Sequence, residues 1–314
     1  MPEEKDPALG PLKPSEASTF RSGFVALIGR PNVGKSTLLN RLVGSKVSIV
    51  SPVPQTTRLV IRAVARSADA EVTYVDTPGV HRARYRMNQE MVRSAREALL
   101  GVDLVLLLTA GPDGFSPGDA GMLQLLPESP APLLLLINKM DAMRRSALLP
   151  LMDQARRLRD WDEIIPCSGL TGENCDDLVR SIHARLPTGP PLFPSDFVTD
   201  LPTRLAVGER IREQILLRTR EELPHSTAVL VDQMEENKRG EVRISATIYV
   251  DRESQKAIVI GREGSMLKAI GIAARQDLAT YVGATVHLSL WVKVKKRWRD
   301  DPVLLRLLGI SPGG

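Results

Sequence analysis

Eight residues, Gly29-Arg30-Pro31-Asn32-Val33-Gly34-Lys35-Ser36, restrict what this chain can fold into more than any other stretch. They read G-x-x-x-x-G-K-S, a loop whose backbone N–H groups turn inward to cradle phosphate oxygens. Such a loop needs a strand before it and a helix after it. Phe24-Val25-Ala26-Leu27-Ile28 is a short apolar run suited to a buried strand. Thr37-Leu38-Leu39-Asn40-Arg41-Leu42-Val43 carries a helical apolar face. The helix N-terminus adds positive potential, so main chain holds most of the phosphate. Lys35 is then placed to reach the β- and γ-phosphates, and the Ser36 hydroxyl to ligate Mg²⁺. A glycine-rich helix cap is the plainer account of the glycines; GKS in register after a strand argues against it.

From residue 23 to 187 strand and helix patterns alternate. Strands are expected at 24–28, 58–66, 71–75, 103–109, 132–137 and 163–167, and helices at 35–43, 88–100, 118–126, 145–159 and 173–186. The aliphatic runs 104–108 and 133–137 suit central parallel strands covered on both faces. Ser67-Ala68-Asp69-Ala70 is short enough to be a hairpin. The expectation is an α/β P-loop domain with a mostly parallel six-stranded sheet and flanking helices.

Five prolines and Gly189 between 187 and 202 mark a linker or an extended crossing segment. Beyond it lie a helix at 205–222, strands at 227–234, 242–250 and 285–293, and helices at 265–281 and 301–308, a smaller α+β domain. The division is therefore a disordered arm at 1–22, a first domain at 23–187, a linker at 188–203 and a second domain at 204–314. A chain of 314 residues accommodates two domains. No apolar run reaches the roughly 18 residues that would span a membrane. Two cysteines, Cys167 and Cys175, without metal-like spacing suit a reduced cytoplasmic protein. The net charge of +5 is uneven, since Lys293, Lys295, Lys296, Arg297 and Arg299 fall within seven residues, with Trp291 and Trp298 interleaved. Such a run is usually solvated surface, and the aromatics raise the case for a nucleic-acid face.

More nucleotide chemistry follows in strand order. Asp76-Thr77-Pro78-Gly79 ends the third strand, where a carboxylate holds Mg²⁺ and the Gly79 N–H meets the γ-phosphate. Asn138-Lys139-Met140-Asp141 ends the fifth. Asp141 can accept both hydrogen bonds from guanine N1–H and N2–H₂, a donor pair adenine lacks. Asn138 steadies that site, and the Lys139 stem lies over the base. Ser168-Gly169-Leu170 follows the last strand, where a backbone N–H meets guanine O6. In Ser51-Pro52-Val53-Pro54-Gln55-Thr56-Thr57-Arg58, Thr57 is the favoured Mg²⁺ ligand and Thr56 its competitor. Each tetrapeptide alone is weak. All of them in order, at the carboxyl ends of strands, is a strong pattern.

GRPNVGKS, PQTTR, DTPGVH, NKMD and VIGREGSMLKAIG together resemble the Era family of bacterial GTPases, over residues 23–310. The resemblance implies a Ras-like GTPase domain followed by a type II KH RNA-binding domain. It implies hydrolysis of GTP to GDP and phosphate, with Lys35, Thr57, Gly79 and Asn32 as catalytic residues. It also implies binding of the 3′ end of 16S ribosomal RNA and help in assembling the small ribosomal subunit. The family is found in the cytoplasm and at the inner membrane surface. Val80 occupies the place where Ras-like enzymes carry a water-orienting glutamine, so backbone, an ion or a partner must position water. Asn32 corresponds to an asparagine that related GTPases use with K⁺; a plain loop-capping role is equally open. The base loop reads SGL where the family has S-A-L.

Gly261-Arg262-Glu263-Gly264 joins two helical segments, the setting in which a G-x-x-G loop admits an RNA backbone. With it go Ile260, Ser265, Lys256 and Lys268 as candidate RNA contacts, and Lys293, Lys295, Lys296 and Arg297 from the basic run. Glu263 opposes phosphate. Ile258, Leu267 and Ile270 line or support the groove, core packing being the default for each. No heptad argues against a monomer. Two other readings remain: a GTPase whose C-terminal module grips protein or anionic membrane, and an ATP-using P-loop enzyme, which Asp141 disfavours.

Overall fold

The computed structural model describes residues 20–54, 56–79, 85–124, 126, 131–219 and 223–311. Within its first half, β1 (Arg21–Gly29) is central in a six-stranded sheet. The phosphate loop leads into α1 (Lys35–Val43), and β2 (Ile61–Arg66) pairs antiparallel with β3 (Ala70–Asp76). After α2 (Arg86–Glu97) come β4 (Leu104–Ala110), α3 (Pro117–Leu123), β5 (Leu133–Asn138), α4 (Leu148–Leu158), β6 (Glu163–Pro166) and α5 (Cys175–Arg185). The sheet order is β2-β3-β1-β4-β5-β6, parallel except for β2. Alternate residues of β1 explain the layers. Val25 and Leu27 pack with Leu38 of α1 and Leu178 of α5; Ala26 and Ile28 face Met122 of α3 and Ala155 of α4. Every residue of β4 and β5 is buried, because helices cover both faces.

The second half runs α6 (Thr203–Arg218), α7 (Leu223–Ser226), β7 (Ala228–Glu236), β8 (Val242–Val250), α8 (Glu253–Ile260), α9 (Ser265–Val282), β9 (Val286–Val294) and α10 (Pro302–Leu307). β7 and β8 are antiparallel; β8 and β9 are parallel, a pairing that needs the crossover which α8 and α9 supply. Val207, Ile211 and Ile215 of α6 and Ile270, Ala274 and Leu278 of α9 fill the core against β8. This order of helices and strands is the type II KH arrangement.

Some expectations change. The strand expected from 58 begins at Ile61, because Arg58 and Leu59 turn into the junction between the halves. A short 3-10 turn at Arg145–Ala147 precedes α4. The four-residue α7 carries no periodic signal. Of the arm expected at 1–22, residues 1–19 lie outside the described residues, and Arg21 and Ser22 already belong to β1.

The proline-rich stretch is strapped to the sheet edge. Val64 N–H donates to Val198 O at 2.9 Å, and the Leu192 and Phe193 N–H groups donate to Glu71 Oε1 at 2.6 and 3.2 Å. Arg66 donates to Pro194 O and Phe197 O, each at 2.7 Å. Prolines cannot donate, so the stretch is secured by the N–H groups of the residues between them and by carbonyls, that of Pro194 included.

A mixed apolar cluster joins the halves. Leu59, Ile61, Met87 and Met91 from the first pack with Ala228, Trp298, Leu305 and Ile310 from the second.

Candidate functional site

The loops after β1, β3, β5 and β6 converge at one sheet edge, the carboxyl ends of parallel strands, where open α/β sheets bind ligands. A cavity of about 280 Å³ opens there, lined among others by Pro31, Asn32, Gly34, Lys35, Ser36 and Thr37. Gly34 caps α1 at φ +97°, and a Cβ there would stand 2.3 Å from Asn138 Nδ2. Only glycine meets both conditions. Val33 O accepts from Asn138 Nδ2 at 2.8 Å, tying the phosphate loop to the base loop. Arg30 pairs with Asp119 at 2.8 Å instead of facing the cavity.

Lys35 is buried, and its ammonium donates to Gly29 O and Arg30 O at 2.8 and 3.1 Å. Burial lowers its pKa below the usual value, against the pull of Asp76. Asp76 is wholly buried. Burial raises its carboxyl pKa, while Lys35 and the Ser36, Ser48 and Thr57 hydroxyls work the other way.

Ser36, Thr57 and Asp76 are brought together. Ser36 Oγ lies 2.8 Å from Thr57 Oγ1 and donates to Asp76 Oδ2 at 3.0 Å. Thr56 turns away, its hydroxyl donating to Val53 O at 2.7 Å. Asp76 Oδ1 is buried with no partner among the described residues. One orphaned carboxylate oxygen beside two hydroxyls suits a hard divalent cation that keeps waters and takes phosphate oxygens, as Mg²⁺ does.

Thr77 Oγ1 donates to Leu27 O at 2.8 Å, and Pro78 and Gly79 are buried beside Pro31. Val80 and Gln55 lie outside the described residues. Asn32, with φ +62°, is exposed at the rim and donates from Nδ2 to Pro52 O at 2.7 Å.

In the base loop, Ser168 Oγ donates to Asp141 Oδ1 at 2.5 Å. Lys139 takes φ +64°, which turns the chain so that Asp141 is exposed, with Met140 beside it. The Gly169 N–H expected to meet guanine O6 already donates to Asn138 Oδ1 at 2.9 Å. Leu170 is exposed.

Three neighbours escaped the sequence reading. Ser48 donates to Asp76 Oδ2 at 3.2 Å, and Asn40 clasps the backbone of Val47 and Ser48. Arg41 holds Gly169 O and Leu170 O at 2.8 and 2.6 Å. None belongs to a motif. Only the position of Asn40 and Arg41 on the helix after the loop hinted at a role.

In the second half the G-x-x-G turn joins α8 to α9, with Gly261, Glu263 and Gly264 at φ +73°, +52° and +77°. Arg262, Glu263, Ser265 and Lys268 are exposed; Lys256 and Ile260 are half-buried. A groove of about 400 Å³ lies beside the turn, lined by Leu267, Lys268, Ile272, Arg275, Leu288 and Leu290 among others. Ile270 is core, as its default reading had it, and Ile258 is exposed. Lys268, Ile272 and Arg275 repeat at i, i+4, i+7 along α9, a helical spacing that could have revealed the last two.

The basic run is not one cationic surface. Trp298 is fully buried, with its indole N–H on Ser226 O at 2.8 Å and Arg58 over its ring. Lys295 pairs with Asp301 at 2.5 Å, Arg297 with Asp300 at 3.1 Å, and Arg299 with Asp251. Lys293 and Lys296 are exposed, with no ion pair among the described residues.

A family model described as a 50S ribosome-binding GTPase matches residues 24–139, and one described as a KH domain matches residues 222–299. A crystal structure of Era in complex with MgGDPNP and nucleotides 1506–1542 of 16S ribosomal RNA is 40% identical, with a TM-score of 0.90 over 93% of this chain and 100% of that one. A variant of Aquifex aeolicus Era bound to GDP·AlF4⁻ matches with the same identity, TM-score and coverage. With the phosphate, metal and base loops at one edge and a G-x-x-G groove in the other half, this chain belongs to the Era family of GTPases.

Proposed function

We propose that the protein is a GTP-hydrolysing switch that binds the 3′ end of 16S ribosomal RNA through its KH domain and assists assembly of the small ribosomal subunit. The observation that carries the reading is the meeting of Ser36, Thr57 and Asp76 beneath the phosphate loop, in a chain that also holds the G-x-x-G groove. We divide it into a GTPase domain at 23–187, a crossing segment at 188–203 and a KH domain at 204–314. Residues Gly29 to Thr37 cradle the phosphates. Ser36, Thr57 and Asp76 would hold Mg²⁺, which neutralises charge building between the phosphates. Asn138, Lys139, Asp141 and the Ser168–Leu170 loop hold guanine, with the Leu170 N–H or a shared Gly169 N–H facing O6. Lys256, Arg262 and Lys268, joined by Arg275, meet RNA phosphates, and bases stack along the aliphatic groove. Exposed Lys293 and Lys296 suit RNA phosphate or the anionic headgroups of the inner membrane, which a cytoplasmic monomer would visit peripherally.

The decisive experiment is competition of GDP, GTP, ADP and ATP against fluorescent GDP. Adenine nucleotides displacing as well as guanine ones would end the reading. Asp141→Asn sharpens the test. An amide offers one acceptor and one donor where guanine needs two acceptors, so guanine affinity is expected to fall on the order of 100-fold, while xanthine nucleotides, with an acceptor at C2, bind better than to the parent.

Asn32 offers its amide oxygen to a monovalent cation near the phosphates, which supports K⁺ as a stabiliser of the developing charge. Turnover is expected to be about tenfold faster in K⁺ than in Na⁺. Equal rates in the two salts would leave Asn32 as a loop cap.

A further inference from the structure

The loop that carries Thr57 is anchored by the other domain. Arg210, Arg212 and Glu213, close together on α6, reach it at four points. Arg210 Nη2 donates to Lys46 O at 2.7 Å. Glu213 accepts from Lys46 Nζ at 2.6 Å and from the Val50 N–H at 2.8 Å. Arg212 donates to Thr56 O, the carbonyl next to Thr57, and its own charge is met by Glu209 at 2.6 Å. Asp277 of α9 completes the set, 3.0 Å from Lys46 and 2.9 Å from Arg210. Arg212 and Glu213 are 1% and 3% exposed.

Packing fixes this loop only at its ends, where Val47 lies against the first core and Leu59 in the cluster between the halves. A cavity of about 560 Å³ lies behind it, bounded by Val47, Ile49 and Leu59 on the loop side and by Tyr281 of α9. The nucleotide cavity lies in front, and Ile49 and Thr57 border both. Between those ends the segment has open space on two sides, and its polar anchors locate it.

We infer that Arg212 and Glu213 are positioning residues for GTP hydrolysis, setting from the KH domain where the Thr57 hydroxyl stands relative to Ser36 and Asp76. The inference rests on the GTPase reading above. It makes the hydrolytic site incomplete without α6, although no motif of the GTPase half shows this. GDP, gripped by the phosphate and base loops, depends little on these anchors. The γ-phosphate state needs Thr57 in place.

The test uses the full chain and the variants Arg212→Met, Glu213→Ala and Glu213→Gln. The readouts are steady-state kcat and KM for GTP, the Mg²⁺ concentration for half-maximal turnover, and fluorescent-GDP affinity. Arg212→Met and Glu213→Ala are expected to lower kcat about tenfold and raise the Mg²⁺ requirement, with GDP affinity within about twofold of the parent. Glu213→Gln keeps an acceptor for the Val50 N–H but loses the ion pair with Lys46, so it falls between Glu213→Ala and the parent. That graded order in kcat, with GDP affinity unchanged, is what general destabilisation would not produce, and it decides the matter should Arg212→Met fold poorly. Parent-like kcat and Mg²⁺ dependence in folded Glu213→Ala would overturn the inference. Absence of GTP turnover in the parent would remove the GTPase reading itself, and the inference with it.

Discussion

Lys35→Ala is expected to weaken guanine-nucleotide binding on the order of 100-fold or more while leaving the fold intact. The ammonium is buried, and the only oxygens it meets among the described residues are the carbonyls of Gly29 and Arg30. Burial already works against its charge. Its attraction to nearby Asp76 is offset by that cost, so the ligand-free protein gains little from it. A polyphosphate gains a great deal, because a buried cation facing an anion is worth about 2–5 kcal/mol when one partner is truncated. A loss of roughly 3 kcal/mol is a weakening on the order of 100-fold or more. Fluorescent-GDP titration measures the loss, and thermal unfolding without nucleotide is expected to shift by no more than about 3 °C. A variant that keeps parent-like GDP affinity would mean the phosphates lie elsewhere.

The second large effect lies in the KH half. Gly264→Asp is expected to weaken binding of a single-stranded RNA carrying the 16S 3′-end sequence by about 100-fold, with GDP affinity unchanged. The mechanism is local. Gly264 sits at φ +77° with nothing within 4 Å of where a Cβ would be. An aspartate there bears a modest backbone strain of about 1 kcal/mol and puts a carboxylate where the RNA backbone must pass. Gly261→Asp removes RNA binding too, but less cleanly. Its Cβ would stand 2.6 Å from Met266 Cβ and 2.7 Å from Met266 N, so the start of α9 must shift. The Gly264 variant therefore separates lost contact from lost fold. Titrations must share one salt concentration, since phosphate contacts weaken as salt rises. RNA affinity equal to the parent's would place the RNA elsewhere on the surface.

The two halves were legible to different degrees. The helix after the phosphate loop was expected at 35–43 and spans Lys35–Val43; β8 was expected at 242–250 and spans Val242–Val250. Both carry strong local signals, a glycine punctuation in one and unbroken period-two alternation in the other. The run at 58–66 misled at its start, because Arg58 and Leu59 look like strand residues and are claimed by the domain junction. The basic run was legible only in part. Five cations with tryptophans resemble a nucleic-acid face in one dimension. Folding puts Asp251, Asp300 and Asp301 beside three of the cations and buries Trp298.

Sequence alone determined what lives within a few consecutive residues: the phosphate loop, the acidic strand end at Asp76, the loop that carries Asp141 and the G-x-x-G turn. Backbone conformation and immediate neighbours suffice for these, so spacing along the chain records them. Tertiary structure alone decided which threonine meets Asp76, which cations stay exposed, and that α6 anchors the loop before Thr57. Arg212 and Thr56 are 156 residues apart. A contact of that kind arises only when two independently patterned cores dock, and it leaves no period, motif or spacing behind in the string of residues.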